Sequence, residues 1–231
     1  MTSAPTDDIM IQATGLTHFY GPQPAIDEVT FNVKRGEILG FLGPNGAGKT
    51  TTIRIMLDLL RPTQGKVSIY GLDAQTESRT IKYKIGYVPA EPALYKHLNG
   101  HDLLKYLANI RGGVDWDHVT DLTNRFDCDL SRPINTLSRG NKQKIAIIRA
   151  LMHKPALLIL DEPTTGLDPL MQLQFYDLLL MAKNQGTTIF LSSHILHEVE
   201  HLADRVGIIR DGRLITLENI ESLRSREFRK V

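Results

Sequence analysis

The sequence predicts an α/β domain with a mainly parallel sheet and an inserted helical segment. Short apolar segments alternate with amphipathic helices in residues 9–89, and the same alternation returns in residues 139–216. Residues 90–138, between them, carry helical patterns only, and residues 217–231 form a basic tail that we expect to be a helix end. With 231 residues, 42% of them hydrophobic, the chain is long enough to bury a sizeable core as one domain.

The first part of the chain is predicted to contain strands, a glycine-rich loop and one helix. A turn at residues 34–36 separates the first two strands. The helix, Lys49–Leu60, has apolar residues at helical spacing and is ended by Pro62 and Gly65. The strands are predicted at Phe31–Val33, Glu37–Leu42, Lys66–Tyr70 and Lys84–Val88.

The middle part is predicted to hold two amphipathic helices. The glycine pair at positions 112 and 113 ends the first, and Pro133 ends the stretch that contains the second. The apolar residues that define the two helix faces are Leu103, Leu104, Leu107 and Ile110, followed by Val119, Leu122 and Phe126.

The last part returns to strand–helix alternation and ends in a hairpin across Asp211–Gly212. This alternation is typical of parallel sheets covered by helices. Helices are predicted at Gly140–His153, Pro169–Lys183 and Ile195–Ala203, and strands at Ala156–Leu160, Thr187–Ser192, Val206–Arg210 and Arg213–Thr216.

Composition argues against several classes of function. Lys and Arg total 27 and Asp and Glu total 26, and this net charge of +1 disfavours a nucleic-acid partner. Cys128 is the only cysteine, so no intrachain disulfide can form, which suits a reducing cytoplasm. No apolar stretch approaches the roughly 18 residues that cross a bilayer, and Met1–Gln12 lacks the pattern of a secretory signal. We therefore expect any role at a membrane to pass through a partner.

The strongest chemical signal is the loop Gly43–Thr50, which matches G-x-x-x-x-G-K-[ST] between a predicted strand and a predicted helix. Glycines allow successive backbone N–H groups to approach a phosphate closely, and the helix N-terminus behind them adds partial positive charge. Lys49 is expected to contact the β- and γ-phosphates, and the Thr50 hydroxyl suits Mg²⁺. The loop therefore predicts a nucleoside triphosphate site.

A second signal is the apolar strand Ala156–Leu160, which is followed directly by Asp161 and Glu162. Ligands of open α/β sheets lie at the carboxyl ends of the strands. Asp161 is therefore expected to hold Mg²⁺ together with Thr50, and Glu162 to polarise a water for attack on the γ-phosphate.

Four further segments give the chain a resemblance to the ATP-binding subunits of ABC transporters over residues 9–216. Leu137–Asn141 resembles the family's Leu-Ser-Gly-Gly-Gln signature, and Thr165–Asp168 resembles its D-loop. Leu191–His194 resembles the switch-histidine segment, and Tyr20 matches the aromatic residue that stacks on adenine. Each motif is short, but their order and spacing together are specific.

The resemblance implies a P-loop NTPase core with an N-terminal antiparallel part, and MgATP as the ligand. Lys49, Glu162 and His194 would be the catalytic residues, and Thr50 and Asp161 the metal ligands. The residues that would contact ATP are Tyr20, Gly43, Asn45, Gly46, Ala47, Gly48, Lys49, Thr50, Thr51, Ser138, Gly140 and Asp168.

The resemblance also implies two partners. Two subunits, expected to be identical, would sandwich two ATP molecules head to tail, with Ser138 and Gly140 of one chain facing the γ-phosphate bound by the other. An integral membrane permease would dock beside the helical segment near Leu94, Tyr95 and Leu98, most like the export-type subunits whose permease is a separate chain. The protein would then lie in the cytoplasm, at the inner face of the membrane, with no nucleic-acid partner.

Two departures from the family pattern stand out. Ala90 occupies the position at which most relatives have a Gln that contacts Mg²⁺ and water, and the adjacent Glu91 is expected to point elsewhere. Arg139 and Asn141 replace Gly and Gln in the signature, whereas Ser138 and Gly140 are kept. We expect Ala90 to affect metal contact and coupling, whereas hydrolysis is expected to proceed because Thr50, Asp161 and Glu162 are intact. The two changes in the signature are expected to be tolerated.

Three alternatives remain open. His197–His201 fits the zinc-protease pattern H-E-x-x-H, with Glu221 as the third ligand, although a hairpin is predicted between them. A soluble ABC-type ATPase that acts on an assembly or a nucleoprotein is also consistent with the motifs. A nucleotide-gated module with little hydrolysis is left open by Ala90, whereas Glu162 argues against it.

Overall fold

The computed structural model describes residues 8–222, in which the alternation predicted from the sequence is present. The basic tail residues Arg224, Arg226, Arg229 and Lys230 lie outside the described part. The strands are β1 (Ile9–Tyr20), β2 (Gln23–Lys34), β3 (Ile38–Leu42), β4 (Gln64–Ile69), β5 (Leu72–Asp73), β6 (Ile85–Val88), β7 (Leu157–Asp161), β8 (Thr188–Ser193), β9 (Arg205–Arg210) and β10 (Arg213–Asn219). The helices are α1 (Lys49–Met56), α2 (Ser78–Lys84), α3 (Gly100–Ile110), α4 (Trp116–Arg125), α5 (Arg139–Leu151), α6 (Pro169–Asn184) and α7 (Leu196–Leu202).

The strands form two sheets. The first is antiparallel with the order β2-β1-β4-β5, which is the N-terminal antiparallel part that the family resemblance implied. The second has the order β10-β9-β3-β8-β7-β6 and is parallel except for the β9–β10 hairpin. The carboxyl ends of β3, β7 and β8 therefore meet at one edge, where the glycine-rich loop, the acidic pair and the switch-histidine segment follow them.

The two sheets are joined by an aromatic cluster. Phe31 on β2, Phe41 on β3 and Phe190 on β8 have ring centroids 5.3–5.6 Å apart, and all three rings are buried. Offset aromatic packing of this kind adds roughly 0.5–1.5 kcal/mol per pair beyond the burial of area. The cluster fixes the antiparallel sheet over the central strands that carry the site.

The helical segment packs on the other face of the second sheet. Leu104 of α3, Leu122 of α4 and Ile145 of α5 are fully buried and share one apolar cluster with Leu160 of β7. The helix that begins with the signature residues is thereby held against the strand that ends in the acidic pair.

Several predicted boundaries were wrong. Helix α1 ends at Met56 rather than Leu60, because Asp58 adopts a left-handed φ of 47°. Residues 90–99 contain no helix, and α3 begins at Gly100, where the Asn99 side chain accepts a hydrogen bond from the Asp102 amide. Ile110, predicted on the buried face of α3, is 61% exposed.

Two further elements of the structure differ from the sequence prediction, one in its existence and one in its length. Helix α2 was not predicted from the sequence, and β10 continues three residues beyond the predicted Thr216, into the part assigned to the tail.

Among residues 8–222, no helix has the length and apolar character needed to cross a bilayer.

Candidate nucleotide-binding site

The glycine-rich loop connects the end of β3 to the start of α1 through glycines that no other residue could replace without strain. Gly46 and Gly48 have φ angles of 82° and 105°, in the left-handed region that favours glycine. A Cβ on Gly48 would lie 2.6 Å from Ile26 Cγ2 and 2.8 Å from the Ala25 carbonyl oxygen. The loop is therefore pressed against β2, and its path over the N-terminus of α1 is fixed.

Gly43 and Ala47 support this loop from below. A Cβ on Gly43 would lie 2.3 Å from the Ile209 carbonyl oxygen, and Ala47 is buried. Neither residue lines the cavity above the loop. Gly43 and Ala47 therefore hold the loop in place by packing, and their contact with the nucleotide stays a prediction.

Lys49 lies where the loop meets the acidic strand end. Its ammonium donates to the carbonyl oxygens of Gly43 at 2.6 Å and Pro44 at 3.0 Å, and it lies 3.2 Å from Glu162 Oε1. The side chain is 6% exposed, so these contacts compensate a cation that is almost fully removed from water. The predicted phosphate-binding charge is therefore preorganised at the base of the loop.

A cavity of about 410 Å³ lies above the loop, within the size range of small-molecule sites. Tyr20 forms one wall, with 54% of its surface exposed and its ring edge-on to His18 at 4.8 Å. The residues that line the cavity are Tyr20, Ala25, Asn45, Gly46, Gly48, Lys49, Thr50, Thr51, Ala90 and Glu162. Residues predicted from three separate motifs are thus brought to one place.

Thr50 and Asp161 form an oxygen-rich pair at the floor of the site. The Thr50 hydroxyl donates to Asp161 Oδ2 at 2.9 Å, and the Ser192 hydroxyl donates to Oδ1 at 2.6 Å. Asp161 is 1% exposed, and its strand partner across β7 and β8 is Ser192. Mg²⁺ in nucleotide sites is held by one or two protein oxygens together with substrate phosphates, so this donor set fits Mg²⁺.

Glu162 and His194 are in direct contact. His194 Nδ1 lies 2.6 Å from Glu162 Oε2, while Oε1 of the same carboxylate faces Lys49. The Glu162 amide donates to the Ser192 carbonyl and hydroxyl oxygens, both at 3.2 Å. The three residues predicted to be catalytic are therefore joined by one carboxylate.

Ala90 follows β6 and contributes only a methyl group to the cavity wall. Glu91 is exposed and does not line the cavity, as predicted, although β6 ends at Val88 and strand alternation therefore does not reach it. Burial, reinforced by the nearby Asp161 carboxylate, raises the pKa of Tyr87 to about 12, which keeps this neighbouring phenol neutral.

Ser138, Gly140 and Asp168 do not line this cavity. The Ser138 hydroxyl caps α5 by accepting from the Asn141 amide at 3.3 Å, and Asp168 Oδ1 caps α6 by accepting from the Met171 amide at 3.0 Å. A single chain therefore does not bring the signature segment to the nucleotide cavity.

A comparison with known protein families agrees with the site described above. The family model described as ABC transporter matches residues 26–165 of the chain. The chain belongs to the ABC transporter family. It is an ATP-binding subunit of that family, and its activity is ATP hydrolysis.

Three relatives place this ABC subunit more closely. The bacitracin transport ATP-binding protein BcrA of Bacillus licheniformis is 41% identical over 221 residues, which is 94% of this chain and 72% of BcrA. The lantibiotic transport ATP-binding protein SrtF of Streptococcus pyogenes is 37% identical over 93% of this chain and 95% of SrtF. The dimeric structure of MJ0796, a bacterial ABC transporter cassette, superposes with a TM-score of 0.83 at 25% identity, covering 91% of this chain and 99% of the cassette.

Two residues of the ABC site were missed from the sequence. Ser192 supports both Asp161 and Glu162, and the signal for it was a pair of serines at the end of an otherwise apolar strand. Gln143 is 1% exposed, and its side-chain amide donates to the Pro163 carbonyl oxygen at 2.8 Å. A glutamine at an otherwise apolar position of α5 was the available signal.

The zinc-protease alternative is not supported by this geometry. His197 and His201 are exposed with ring centroids 6.4 Å apart, whereas Glu198 between them is buried and accepts hydrogen bonds from Thr164, Tyr176 and Ser193. Residues 8–222 contain no group of three or more His, Cys, Asp or Glu side chains arranged to hold a metal ion. Glu221 follows the intervening β9–β10 hairpin, as the sequence predicted.

Proposed function

We propose that this chain is the motor subunit of an export transporter, hydrolysing MgATP between two copies of itself and driving a separate permease. The observation that carries the proposal is the contact of Lys49 and His194 with the two oxygens of Glu162 beside the nucleotide cavity. This arrangement supplies a phosphate-binding cation, a water-orienting carboxylate and a histidine at one point.

The chemistry follows from these positions. Lys49 and the loop amides would hold the β- and γ-phosphates, while Glu162 would orient a water in line with the scissile bond. His194 would hold the carboxylate and reach the γ-phosphate edge. Thr50 and Asp161 would hold Mg²⁺, which supplies neutralisation of the phosphate charge when it is bound.

The dimeric part of the proposal rests on the segments that the cavity leaves out. Ser138 and Gly140 lie at the N-terminus of α5, where free amides and partial positive charge favour an anion. They lie outside the cavity of their own chain, and in the proposed dimer they would face the nucleotide cavity of the second subunit. The dimeric cassette among the relatives supports the same arrangement.

A permease surface is offered by a second cavity of about 460 Å³ between β6, α3 and α5. Of the three residues expected there, Tyr95 is 59% exposed and lines it, Leu94 lines it but is half-buried, and Leu98 is half-buried and does not line it. Among the residues that line it are the apolar Leu57, Leu59, Leu94, Tyr95, Leu103 and Leu107 and the basic Lys82, Arg111 and Arg149.

The charge of this groove indicates what it would accept. Within residues 8–222, no carboxylate lies within 4.0 Å of Lys82, Arg111 or Arg149; Arg149 donates to the Tyr87 carbonyl oxygen at 3.3 Å. Burial lowers the pKa of Arg149, but guanidinium stays charged at physiological pH. We infer that the permease presents an apolar helix face with at least one carboxylate. Since the family resemblance implies a cytoplasmic motor, this contact would hold the subunit at the inner face of the membrane.

Export and a separate permease are inferred from the relatives. SrtF is named a transport ATP-binding protein, and this chain matches 95% of its length, from which we infer that the permease is a separate chain. BcrA carries the same role in its name. We propose the same division between motor and permease here.

The test is Mg²⁺-dependent ATP hydrolysis and oligomeric state of the wild type beside Glu162→Gln. We expect the wild type to hydrolyse ATP, and the variant to lose at least about a hundredfold in rate while forming an ATP-dependent dimer. A variant that hydrolyses ATP at the wild-type rate would remove Glu162 from the mechanism. A monomer at saturating ATP would refute the sandwich of two identical chains.

A further inference from the structure

We propose that Glu198 is a positioning residue that holds the switch histidine and the turn after Glu162 as one unit. This role goes beyond the proposed motor function and rests on it only for the catalytic parts of Glu162 and His194. The observation behind the proposal is a buried carboxylate that does not line the nucleotide cavity. It occurs in the zinc-protease sequence pattern, but the structure gives it other partners.

Glu198 lies in α7 and is 2% exposed. Its Oε1 accepts from the Tyr176 hydroxyl at 3.1 Å and from the Thr164 hydroxyl, and its Oε2 accepts from the Ser193 hydroxyl at 2.6 Å. The three donors come from three segments: the turn after β7, helix α6 and the end of β8. One carboxylate therefore ties these three segments together, and it adds helices α6 and α7 to the contact that His194 and Glu162 already make between the end of β8 and the turn after β7.

A carboxylate is suited to this place because it only accepts. Three hydroxyl donors converge on two oxygens, and hydrogen bonds to a charged acceptor are stronger than those between neutral groups. Burial raises the pKa of Tyr176, and the Glu198 charge raises it further, so the phenol stays a donor. An amide in the same position would present two N–H donors to hydroxyls that now donate, and would break part of the network.

One arm of the network leads to the histidine. Ser193 directly precedes His194, and its hydroxyl also accepts from the Ile195 amide at 3.0 Å. The backbone on both sides of His194 is thus fixed by the group that Glu198 holds. Since His194 contacts Glu162 at 2.6 Å, a shift of this segment would move the pair that orients the water.

The other arm leads to the turn that faces the signature helix. Thr164 lies two residues after Glu162, and its carbonyl oxygen accepts from the Leu167 amide at 3.0 Å. Within that turn, the Gly166 carbonyl oxygen lies so close to Gly140 that a Cβ there would approach it to 2.7 Å. Glu198 therefore couples the water-orienting pair to the segment that carries the second anion site.

The experiment measures kcat and KM for ATP in Glu198→Gln and in a matched pair at its partner, Thr164→Val and Thr164→Ser. Valine keeps the shape of threonine without the hydroxyl, whereas serine keeps the hydroxyl. We expect Glu198→Gln and Thr164→Val to lower kcat by about tenfold with KM within about twofold, and Thr164→Ser to retain the wild-type kcat. The double variant Glu198→Gln/Thr164→Val is expected to lose no more than the worse single variant.

Two results would overturn the proposal. One is a wild-type kcat in folded Glu198→Gln; the other is equal loss in Thr164→Val and Thr164→Ser, which would indicate packing rather than a hydrogen bond. Thermal unfolding of each variant identifies loss of folded protein, and the Thr164 pair decides the question if Glu198→Gln does not fold. Glu162→Gln, assayed beside them, reports separately on the proposed motor function, because its outcome does not depend on Glu198.

Discussion

Glu162 shows how one residue is held in an unfavourable backbone conformation at the centre of the site. Its φ of 48° lies in the left-handed region, which costs of order 1 kcal/mol or more for a residue with a Cβ. Two hydrogen bonds from its amide to Ser192 and two side-chain contacts, to Lys49 and His194, offset that cost. The strain turns the chain directly after Asp161, so that two successive carboxylates serve different partners.

Ala90 carries the first prediction at the residue scale. Ala90→Gln would add a side-chain amide oxygen to the cavity, and such oxygens are good ligands for Mg²⁺. We expect the Mg²⁺ concentration for half-maximal ATP hydrolysis to fall by roughly three- to tenfold, because one additional oxygen ligand stabilises the bound ion. The measurement is a Mg²⁺ titration of the hydrolysis rate at fixed ATP.

The matched control for Ala90 is its neighbour. Glu91→Gln introduces the same side chain at an exposed position outside the cavity, and it is expected to leave the Mg²⁺ titration unchanged. If both variants, or neither, shift the titration, a ligand role for a residue at position 90 is wrong.

His153 carries a prediction about pH. Burial, together with the nearby Arg111 charge, lowers the pKa of His153 from 6.5 to about 4 in the folded state. The unfolded chain therefore binds the proton first, so the folding stability that depends on the neutral ring is complete above pH 6.5 and is lost as the pH falls towards 4. We expect a loss of about 1 kcal/mol between pH 7 and pH 5, less than the full linkage value because the ring is partly exposed.

The measurement for His153 compares two urea titrations, at pH 7 and pH 5, in the wild type and in His153→Gln. Glutamine keeps a donor for the Ile85 carbonyl oxygen, which His153 Nε2 now contacts at 3.1 Å, but it does not titrate. The wild type should therefore lose more stability than the variant over this range. Equal losses would show that the ring does not carry the pH dependence.

At the scale of elements, the sequence predicted strands and helices best where apolar residues were regular. Strand β1 was not recognised, because its register against β2 shifts between Ala13 and Leu16 and so breaks the alternation. Helix α2 was missed because only Ile81 in it is buried, so it has no apolar face to read. The predicted ends of β7 and α6 agree with the structure to within about one residue. Strand β7 is a continuous apolar run up to Asp161, and α6 begins with a clear cap at Asp168.

Helix α5 carries a prediction about how closely it meets the turn after β7. In an unobstructed helix, Gly140→Ala would stabilise the protein by roughly 0.5–1 kcal/mol. Here the added Cβ would lie 2.7 Å from the Gly166 carbonyl oxygen, a backbone atom that cannot move aside cheaply. We therefore expect the free energy of unfolding to fall by about 1–3 kcal/mol, as overpacking does elsewhere.

The sign of the change makes the Gly140 test decisive. Equilibrium denaturation measures the free energy of unfolding of Gly140→Ala and of Asn141→Ala, a control one residue further along the same helix. Asn141→Ala is expected to stay within about 0.5 kcal/mol of the wild type, as is usual for partly exposed positions. A stabilised Gly140→Ala would show that the helix and the turn are not in contact.

At the scale of the whole molecule, the nucleotide site was predictable and its support was not. Lys49, Thr50, Asp161 and Glu162 occur in contiguous motifs, because a loop or a strand end presents neighbouring residues to one ligand. Gln143, Ser192 and Glu198 act across helices and strands far apart in sequence, so only the assembled fold shows their partners. Glu198 was even assigned to a different pattern, since the spacing of two histidines says nothing about which way the residue between them points.

The permease surface carries the last prediction. Tyr95 stands on the rim of the basic groove, 59% exposed, with its ring edge-on to Tyr106 at 6.0 Å. Tyr95→Glu would remove apolar contact area and place a negative charge beside Lys82 and Arg111, where the proposed permease carboxylate would bind. We expect the amount of permease recovered with the tagged subunit from detergent-solubilised membranes to fall at least tenfold. The new carboxylate would repel the carboxylate of the permease and would itself pair with the basic residues of the groove.

The control for Tyr95 is Ile215→Glu, which places the same charge on β10 at a side chain that is 62% exposed and distant from the groove. Both variants are first checked for folding by circular dichroism and thermal unfolding. The prediction requires that Ile215→Glu recover permease like the wild type while Tyr95→Glu does not. Equal recovery of permease with both variants would show that the permease does not bind at the groove. Recovery of a soluble assembly without any membrane protein would refute the permease partner itself. Neither outcome would bear on the ATPase chemistry at Glu162, because the groove and the nucleotide cavity share no lining residue.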